Sequence, residues 1–294
     1  MKRARVGIAV RTKDRPIFLQ RALRDIAQQT YTDYICVIYN DAGDREAVER
    51  VLEGVDSALK ERLVVIHNDV SHGMEAASNA AIASVDSEYI AVHDDDDTWH
   101  AEFLERAVQH LDATSAAGVV VRTDKIIEEI TGDGISEKSR SQWMPDVKAI
   151  NLYRQCIDNQ MTPITFIYKR SIYDRLKGYD ESLPVLGDWD FGIRFLQEED
   201  VEYLDPGFAL ANYHHRKYIK DSTTNNSFGE GVEKHRYWSN RLMNKYLREE
   251  LRDGRLGVGY MMSKLRYDQH DKAEMIRRIL PSFIINKLKK RIQN

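Results

Sequence analysis

The chain has 294 residues, and its 43 Lys+Arg against 47 Asp+Glu give a formal net charge of −4 at pH 7. A hydrophobic fraction of 42% beside a charged fraction of 31% is typical of a globular protein with a substantial core, and it excludes a chain that is disordered throughout. No apolar run approaches the roughly 18 residues that a membrane-spanning helix needs. The slightly acidic balance argues against a dedicated nucleic-acid-binding protein, because phosphate contacts require an excess of basic residues.

Five apolar runs in the first 121 residues have the length and composition of strands. They are rich in Val, Ile or Tyr, and they are Val6–Val10, Tyr34–Tyr39, Leu63–Ile66, Tyr89–Val92 and Gly118–Val121. Three segments between them have helical spacing: one begins at Pro16, one covers Gly73–Ser84, and one runs from about Trp99 to Leu111. This alternation predicts an α/β fold with a doubly wound, mostly parallel sheet.

The later part of the chain is less regular. Between residues 122 and 215 the sequence predicts a turn at Thr131–Gly134, a polar loop at Ser136–Ser141, and strands at Pro163–Tyr168 and Phe208–Tyr213. From about Glu230 onward the pattern is helical.

The N-terminal residues and the two cysteines predict a cytosolic protein. The basic residues of the start, Met1–Val6, are not followed by the apolar segment of a secretory signal. Cys36 and Cys156 are far apart and form no CxxC pair, and Cys36 lies in an apolar run where a small buried hydrophobic residue is expected.

The strongest chemical signal is the run Asp94–Asp97, four aspartates that follow the strand-like run ending at Val92. Ligands of α/β sheets bind outside the carboxyl ends of the strands, so we expect these carboxylates at a ligand site. Adjacent carboxylates repel one another, and a divalent cation such as Mg²⁺ or Mn²⁺ relieves that repulsion, often together with substrate phosphate oxygens. The alternative is a solvated acidic loop that caps the helix near Trp99.

Two further motifs carry titratable side chains. Gly187–Asp190 (Gly-Asp-Trp-Asp) opens an amphipathic segment, where a carboxylate caps a helix or serves as a general base for an acceptor hydroxyl. His214 and His215 follow a predicted strand, and because adjacent strand residues point to opposite faces, only one of them can face a given site. That histidine is a candidate ligand for a divalent ion, and the alternative is a surface histidine with no role.

The C-terminal segment Lys272–Asn294 carries seven Lys+Arg and one Glu, a local charge of +6. Ile284, Leu288 and Ile292 recur at helical spacing among these basic residues, which predicts a basic amphipathic helix. Such a helix binds an anionic membrane surface or packs on its own protein with the basic face in solvent. The sequence leaves both alternatives open, and the first predicts peripheral contact with the inner face of the cell membrane.

Seven segments, taken in order, resemble the inverting family 2 glycosyltransferases with the GT-A fold. They lie within about residues 4–216 and are Val6–Pro16, Gln28–Tyr31, Val37–Gly43, Gly73–Asn79, Tyr89–Trp99, Gly178–Glu181 and Gly187–Asp190. The resemblance implies a GT-A domain at residues 1–229, with a nucleotide-binding half at about 1–122 and an acceptor half at about 123–229. A helical C-terminal extension at residues 230–294 would follow it.

The resemblance also implies the residues that bind the donor. Asp94–Asp96 matches the family's DxD motif, in which Asp96 would be the main ligand of Mn²⁺ or Mg²⁺ and Asp94, also a candidate metal residue, would lie near the ribose or a metal-bound water. His214 or His215 lies where some members supply a third metal ligand. The residues implied in nucleotide binding are Arg11, Thr12, Arg15, Asp41 (which would read the edge of the base), Gly73, Asn79, Asp94 and Asp95.

The catalytic base is the second implied group, and two departures from the family pattern bear on the site. Asp188 matches the acidic base, which would take a proton from the acceptor hydroxyl, and Asp190 is its rival. The family often has Glu before this Asp, whereas this chain has Gly187. Many members also carry Arg before Asn79, whereas this chain has Ser78, so we expect a weaker diphosphate contact there.

The activity implied by the resemblance is transfer of a sugar from a nucleoside-diphosphate sugar to a hydroxyl of a glycan or lipid-linked glycan, in cell-surface polysaccharide synthesis. The sequence contains no GxGxxG, GxxxxGK[ST], GxSxG or HExxH motif, which argues against dinucleotide oxidoreductases, P-loop NTPases, α/β-hydrolases and zincins. Two alternatives stay open: a metal-dependent nucleotide-sugar nucleotidyltransferase or phosphohydrolase, and a non-catalytic module that binds sugar or nucleotide.

Overall fold

The structure is a computed structural model that describes residues 2–131, 134–216 and 227–263, with the backbone alone for residues 227–232. The chain divides into two compact units, residues 1–155 with 159–238 and residues 156–158 with 239–294. The first unit contains both sheets and every candidate site residue. The boundary predicted at residues 229 and 230 falls inside a continuous helix, Ser227–Arg252, and it stays a prediction.

The strands fall into two sheets, and the larger one forms the centre of the first unit. The strands are β1 (Lys2–Thr12), β2 (Tyr34–Asp41), β3 (Leu63–Asn68), β4 (Val85–Asp94), β5 (Thr98–Trp99), β6 (Gly118–Val121), β7 (Thr123–Thr131), β8 (Gly134–Gln142), β9 (Phe166–Lys169), β10 (Val201–Leu204) and β11 (Ala211–Arg216). The large sheet has seven strands in the order β10-β6-β9-β4-β1-β2-β3. Only β9 runs antiparallel to its neighbours, so the sheet is mostly parallel, as the continuous apolar runs predict.

Helices cover both faces of this sheet. They are α1 (Pro16–Ala27), α2 (Arg45–Glu53), α3 (Ser57–Lys60), α4 (Met74–Ala83), α5 (Phe103–Ala113), α6 (Leu152–Gln155), α7 (Arg170–Leu176), α8 (Gly187–Glu198) and α9 (Ser227–Arg252), with a short 3₁₀ helix at Pro163–Thr165. The three helices predicted in the first half correspond to α1, α4 and α5. Helix α5 begins later than predicted, because Thr98–Trp99 forms β5 instead.

The core has one apolar cluster on each face of the large sheet. On β1, Val6, Ile8 and Val10 pack towards one face together with residues of α1 and α5. Ala9 packs towards the other face, together with residues of α4 and α8 such as Phe191. Complete burial of a Val, Ile or Phe side chain contributes roughly 1.5–3 kcal/mol. The two clusters therefore hold the strands, and with them the carboxyl ends that carry the site, in fixed register.

The smaller sheet has the order β5-β11-β7-β8 and corrects two predictions. The polar loop predicted at Ser136–Ser141 is wrong, because this segment lies in β8, which pairs antiparallel with β7. Its residues are polar because β8 is an edge strand that is mostly exposed to solvent. The strand predicted at Phe208–Tyr213 begins later, as β11, and residues 132–133 of the predicted turn lie outside the described residues.

In the second unit, the described residues are helical over most of their length. Leu242 on α9 and Met262 on a short helix at residues 258–263 are buried, and the Glu250 carboxylate accepts a hydrogen bond from the N–H of Gly259 at 2.6 Å. Among the helices of residues 2–263 that the structure describes, none has the length and apolarity to cross a membrane. The basic segment Lys272–Asn294, with its predicted membrane contact, lies outside the described residues.

Candidate active site

The carboxyl ends of four parallel strands meet at one edge of the large sheet. In the register of the sheet, Arg11 on β1 lies beside Asp94 at the end of β4. Asp41 at the end of β2 lies beside Asn68 at the end of β3. The structure therefore brings the polar residues that follow the apolar runs to the same edge, where α/β sheets bind ligands.

The run Asp94–Asp97, which we call the acidic turn, joins β4 to β5 and separates its four carboxylates. The N–H of Asp97 donates to the carbonyl oxygen of Asp94 at 3.2 Å, which closes the turn. Asp95 and Asp97 are 2% exposed, whereas Asp94 and Asp96 are partly exposed. The acidic turn thus has an inner pair and an outer pair of carboxylates.

Hydrogen bonds hold the inner pair. Asp95 accepts from Thr12 Oγ1 at 2.7 Å and from Arg15 Nη1 at 2.8 Å, and Asp97 accepts from the N–H of His214 at 2.8 Å. Burial raises the pKa of Asp95 to about 6 against the opposing charge of Arg15, and burial also raises the pKa of Asp97. Asp95 and Thr12 therefore orient Arg15, and direct contact between these two residues and a nucleotide stays a prediction.

Arginines hold the outer pair. Asp94 Oδ1 accepts from Arg11 Nε at 2.7 Å, and Asp96 Oδ2 accepts from Arg15 Nη2 at 2.7 Å and from Arg216. Burial opposes the charge on Asp96, but Arg15 and Arg216 hold its pKa far below the ordinary value. The outer edge of the acidic turn therefore presents a charged carboxylate among guanidinium groups.

The outer pair fits a divalent cation that arrives with a diphosphate. Among the residues that the structure describes, no three His, Cys, Asp or Glu side chains are arranged to hold a metal ion. Mg²⁺, however, typically takes only one or two carboxylates from a protein and completes its shell with water and substrate phosphates. Asp94 and Asp96 supply such oxygens at a partly exposed position, in competition with the arginines that hold them.

The adjacent histidines of β11 lie in different environments. His214 is buried, its Nδ1 lies 2.7 Å from Glu128 Oε2, and its Nε2 lies 2.9 Å from Thr98 Oγ1, so both ring nitrogens are engaged inside the protein. Burial, with the nearby cations, lowers the pKa of His215 to about 4 against the charge of Asp96, which leaves the ring neutral. A metal-ligand role for either histidine stays a prediction.

Glu128 ties the smaller sheet to the acidic turn, and the sequence reasoning missed it. Its buried carboxylate on β7 accepts from Arg21 Nη1 at 2.8 Å and from His214 and Arg216. Burial opposes the charge, but His214 and Arg21 lower the pKa of Glu128 to about 2. The signal in the sequence is weak: Glu128 alternates with Ile126 on the inward face of a strand, where an acid requires buried partners.

Asp41 and Gly73 form a second part of the site. The Asp41 carboxylate accepts from Ser71 Oγ at 2.6 Å, from the N–H of His72 at 2.9 Å and from the N–H of Gly73 at 3.1 Å. Gly73 precedes helix α4 with φ +94°, a left-handed conformation that favours glycine. Asp41 therefore holds the residues that lead into α4. Recognition of the nucleotide's base by the Asp41 carboxylate stays a prediction.

Asn79 is directed towards a loop of the same unit. Its Oδ1 accepts from Tyr173 Oη at 2.7 Å and from the N–H of Tyr179 at 3.0 Å, and its Nδ2 donates to Glu181 Oε1 at 2.8 Å. Asn79 therefore links α4 to the segment Gly178–Glu181. A direct contact between Asn79 and a nucleotide stays a prediction.

Asp188, in the first turn of α8, has a partly exposed carboxylate that two donors orient. Its Oδ1 accepts from the N–H of Trp189 at 2.9 Å, and its Oδ2 accepts from Asn159 Nδ2 at 2.8 Å. Asn159 is in turn held by Gln155 Nε2 at 2.9 Å. Burial raises the pKa of Asp188, Arg11 opposes that rise and Asp94 adds to it, so these charges act on one another at a single site.

Asp190 lies on the buried side of the same helix. Its side chain is completely buried, and its Oδ2 accepts from Arg194 Nε at 2.7 Å. The guanidinium of Arg194 also donates to the carbonyl oxygens of Leu176 and Gly178, both at 2.9 Å. Through Arg194, Asp190 is connected to the end of α7, which gives it a structural role, and the choice of Asp188 over Asp190 as the base stays a prediction.

Glu75 is an acidic residue of the site that the sequence reasoning did not single out. It lies in the first turn of α4, and it pairs through Oε2 with Arg11 Nη1 at 3.2 Å. Burial raises its pKa from an ordinary 4.5 to about 7, although Arg11 opposes the rise. Nothing in the local sequence marks Glu75, because first-turn glutamates are common on exposed helices.

The raised pKa of Glu75 predicts a pH-dependent difference in stability between the wild type and Glu75→Gln. Between pH 4.5 and 7 the folded wild type binds more protons than the unfolded chain, so its free energy of unfolding falls as the pH rises. Glu75→Gln lacks this titration. Its free energy of unfolding should therefore rise by roughly 3 kcal/mol relative to that of the wild type as the pH increases across that window. Urea unfolding at pH 5 and pH 8 measures the difference, with Glu46→Gln as an exposed control. Parallel pH profiles for wild type and Glu75→Gln would contradict the expectation.

Comparison with known proteins identifies the family. A family model described as glycosyl transferase family 2 matches residues 8–177. The putative colanic acid biosynthesis glycosyl transferase WcaA of Escherichia coli K12 is 24% identical over 204 residues, which cover 68% of each chain. The uncharacterized glycosyltransferase YwdF of Bacillus subtilis 168 is 23% identical over 203 residues, which cover 67% of this chain and 70% of YwdF.

Solved structures show the same fold. TarS 1-349 of S. aureus in complex with UDP-GlcNAc has a TM-score of 0.61 at 18% identity, over 82% of this chain and 67% of TarS 1-349. A second structure, of TarS 1-349 alone, matches over 71% of this chain and 60% of TarS 1-349, with a TM-score of 0.57. The mannosyltransferase PcManGT from Pyrobaculum calidifontis, in complex with GDP-Man and Mn²⁺, has a TM-score of 0.56 at 15% identity, over 91% of this chain and 70% of PcManGT. These matches confirm the predicted GT-A fold, and because the family model covers more than half of the chain, the protein belongs to glycosyl transferase family 2 and is a glycosyltransferase.

Proposed function

We propose that this glycosyltransferase moves a sugar from a nucleoside-diphosphate sugar to a hydroxyl of a glycan or lipid-linked glycan, with inversion at the anomeric carbon. The observation that carries the proposal is the arrangement around Arg11. This residue donates hydrogen bonds to Asp94 of the acidic turn and to Glu75, whose carboxylate accepts from the N–H of Gly187, directly before Asp188. A donor site and a base that are held close together are what an in-line displacement requires.

The chemistry of the residues supports an inverting displacement. Asp188 takes the proton of the acceptor hydroxyl while the acceptor oxygen attacks the anomeric carbon. The bond from that carbon to the diphosphate breaks on the opposite face, and the nucleoside diphosphate leaves with the electron pair. Arg11 and Arg15 lie beside the acidic turn, where their positive charges stabilise the negative charge of the leaving group.

A divalent cation is the proposed cofactor, with Asp94 and Asp96 as its protein ligands. The presence of Mn²⁺ in the PcManGT structure supports this choice, as does the pair of outer carboxylates. When bound, Mn²⁺ or Mg²⁺ supplies Lewis-acid stabilisation of the leaving diphosphate. The nucleotide itself would be held by the residues named from the sequence, with Arg11 and Arg15 in direct contact and Thr12, Asp41, Gly73 and Asp95 holding the surrounding structure.

Cell-surface polysaccharide synthesis is the proposed setting. WcaA is named as a colanic acid biosynthesis enzyme, and TarS and PcManGT were solved with UDP-GlcNAc and GDP-Man. These names support a nucleotide-sugar donor and a polysaccharide or lipid-linked acceptor. The nucleotidyltransferase, phosphohydrolase and non-catalytic alternatives differ from this proposal in their products, so one assay distinguishes them.

The proposal predicts release of nucleoside diphosphate that depends on both metal and acceptor. The enzyme is incubated with a panel of UDP-, GDP- and dTDP-sugars, with Mn²⁺ or with EDTA, and with or without a glycan acceptor. We expect one donor to yield free nucleoside diphosphate with Mn²⁺ and acceptor, at a rate at least about tenfold above that of every other arm, because transfer needs both substrates and the Lewis acid.

Each other pattern in this assay contradicts part of the proposal. Release of nucleotide without acceptor, or of nucleoside monophosphate, indicates a phosphohydrolase. Formation of pyrophosphate from a nucleoside triphosphate and a sugar phosphate indicates a nucleotidyltransferase. A transfer rate that is the same with EDTA as with Mn²⁺ contradicts the proposed metal requirement. Binding of a donor without turnover of any donor indicates a non-catalytic module.

A further inference from the structure

Glu75 occupies an unusual position for a glutamate in the first turn of a helix. Its side chain is 5% exposed, whereas the side chain of Glu46 is 88% exposed. Glu46 follows the first residue of α2 just as Glu75 follows the first residue of α4. A buried carboxylate is costly unless it is paired and hydrogen-bonded. The contacts that Glu75 makes therefore indicate why it is there.

One contact joins Glu75 to the start of helix α8. Its Oε1 accepts from the N–H of Gly187 at 3.1 Å, directly before Asp188. A Cβ atom at position 187 would lie 2.4 Å from both Cδ and Oε1 of Glu75, well inside contact distance. Position 187 is therefore glycine because the carboxylate of Glu75 fills the space that a side chain there would need.

The other contact joins Glu75 to Arg11. The Nη1 atom of Arg11 donates to Glu75 Oε2 at 3.2 Å and to Ser78 Oγ at 3.1 Å, while its Nε donates to Asp94 at 2.7 Å. The two contacts reach Gly187 and Ser78. The carboxylate of Glu75, from α4, lies beside Gly187, and the guanidinium of Arg11, from β1, lies beside Ser78.

We propose that Glu75 is a positioning residue for the transfer reaction: its carboxylate fixes, through Gly187 and Arg11, the placement of the base Asp188 against the Asp94 end of the acidic turn. This inference rests on the proposed function. The Arg11–Glu75 pair thereby joins β1 and α4 to the start of α8.

The effect of such a residue falls on turnover rather than on donor affinity. Misplacement of a reacting group by about 1 Å costs on the order of 100-fold in rate. Glu75 itself is buried, and Arg11 keeps its hydrogen bonds to Asp94 and Ser78 when Glu75 is changed, so the donor site should persist. We therefore expect Glu75→Gln, which keeps the shape and an acceptor for Gly187 but removes the charge, to lower kcat about 10- to 100-fold with a donor KM within about threefold of wild type.

The decisive experiment moves the carboxylate from position 75 to position 187. Four variants are compared with wild type: Glu75→Gln, Glu75→Ala, Gly187→Glu, and the double variant Glu75→Ala with Gly187→Glu. Glu46→Gln is the matched control, because it changes a first-turn glutamate that is exposed. Transfer kinetics and thermal unfolding midpoints are measured for each.

We expect Gly187→Glu alone to lose activity and to unfold at a lower temperature, because its Cβ collides with Glu75. The double variant should recover a kcat within about tenfold of wild type and an unfolding midpoint above that of Gly187→Glu. A kcat for Glu75→Gln equal to that of Glu46→Gln overturns the proposal. So does a double variant that is no more active than the weaker of its two single variants.

Failure of the proposed function is distinguishable from failure of this inference. A wild type that transfers no sugar from any donor contradicts the proposed function, whereas an active wild type without the recovery contradicts only the inference. The unfolding midpoints need no donor at all. If the midpoint shifts of the two single substitutions simply add in the double variant, positions 75 and 187 are not coupled and the inference is overturned on that ground alone.

Discussion

Asp188→Asn is expected to lower kcat for sugar transfer by about 10²–10⁴-fold while the affinity for nucleoside diphosphate changes little. The carboxylate is the group that accepts the proton, and an amide cannot do so. Asn keeps nearly the same shape, and its Oδ1 can still accept from the N–H of Trp189 or from Asn159 Nδ2. The helix start should therefore persist, so the loss is one of chemistry rather than of folding.

Steady-state kinetics and calorimetric titration of the nucleoside diphosphate measure this expectation. Asp190→Asn is the comparison variant, because it makes the same chemical change two residues further along α8. Near-wild-type kcat in Asp188→Asn would contradict its assignment as the base. Loss of turnover in Asp190→Asn with unchanged stability would transfer that assignment to Asp190.

Asp190→Asn is instead expected to lower the free energy of unfolding by about 3 kcal/mol. Removing one partner of a buried ion pair typically costs 3–5 kcal/mol, because the other charge loses its partner. The lower end of this range applies here, because Arg194 is partly exposed and keeps its hydrogen bonds to the carbonyl oxygens of Leu176 and Gly178. Urea unfolding at neutral pH checks the value.

The control for Asp190→Asn is its activity under conditions where it is folded. Measured well below its unfolding midpoint, its kcat should stay within about tenfold of wild type, since the Asp188 carboxylate is still present. A stability equal to wild type would show that the Asp190–Arg194 pair contributes little. In that case α8 would be held to α7 by its apolar contacts.

Much of the fold could be predicted from the sequence, because the buried parallel strands are continuous apolar runs. The placement of Asp94 and Asp188 also followed from local motifs at a strand end and a helix start. The edge strand β8 was missed for a physical reason: its exposed residues Ser136–Ser141 need no apolar pattern when one strand edge and both faces meet solvent.

The partners of the site residues could not be predicted in the same way. Glu75, Glu128 and Asn159 contact the motifs from segments far away in sequence, and each is a common residue in an ordinary helix, strand or loop. Only the three-dimensional path of the chain reveals that Glu128 contacts Arg216. Gly187 and Ser78 could be noted in the sequence, but the contact of Glu75 with Gly187 and that of Arg11 with Ser78 required the structure.

The single antiparallel strand of the large sheet has a consequence for the order of folding. Strands β1–β4 pair with one another and are complete by residue 94, whereas β6 is joined to them through β9, which ends at residue 169, and β10 then pairs with β6 at the sheet edge. During synthesis, the N-terminal half of the sheet can therefore form first, and long-range pairing of this kind is slow. Arg216 follows later still, so its ion pair with Asp96 of the acidic turn can form only once β11 has been synthesised.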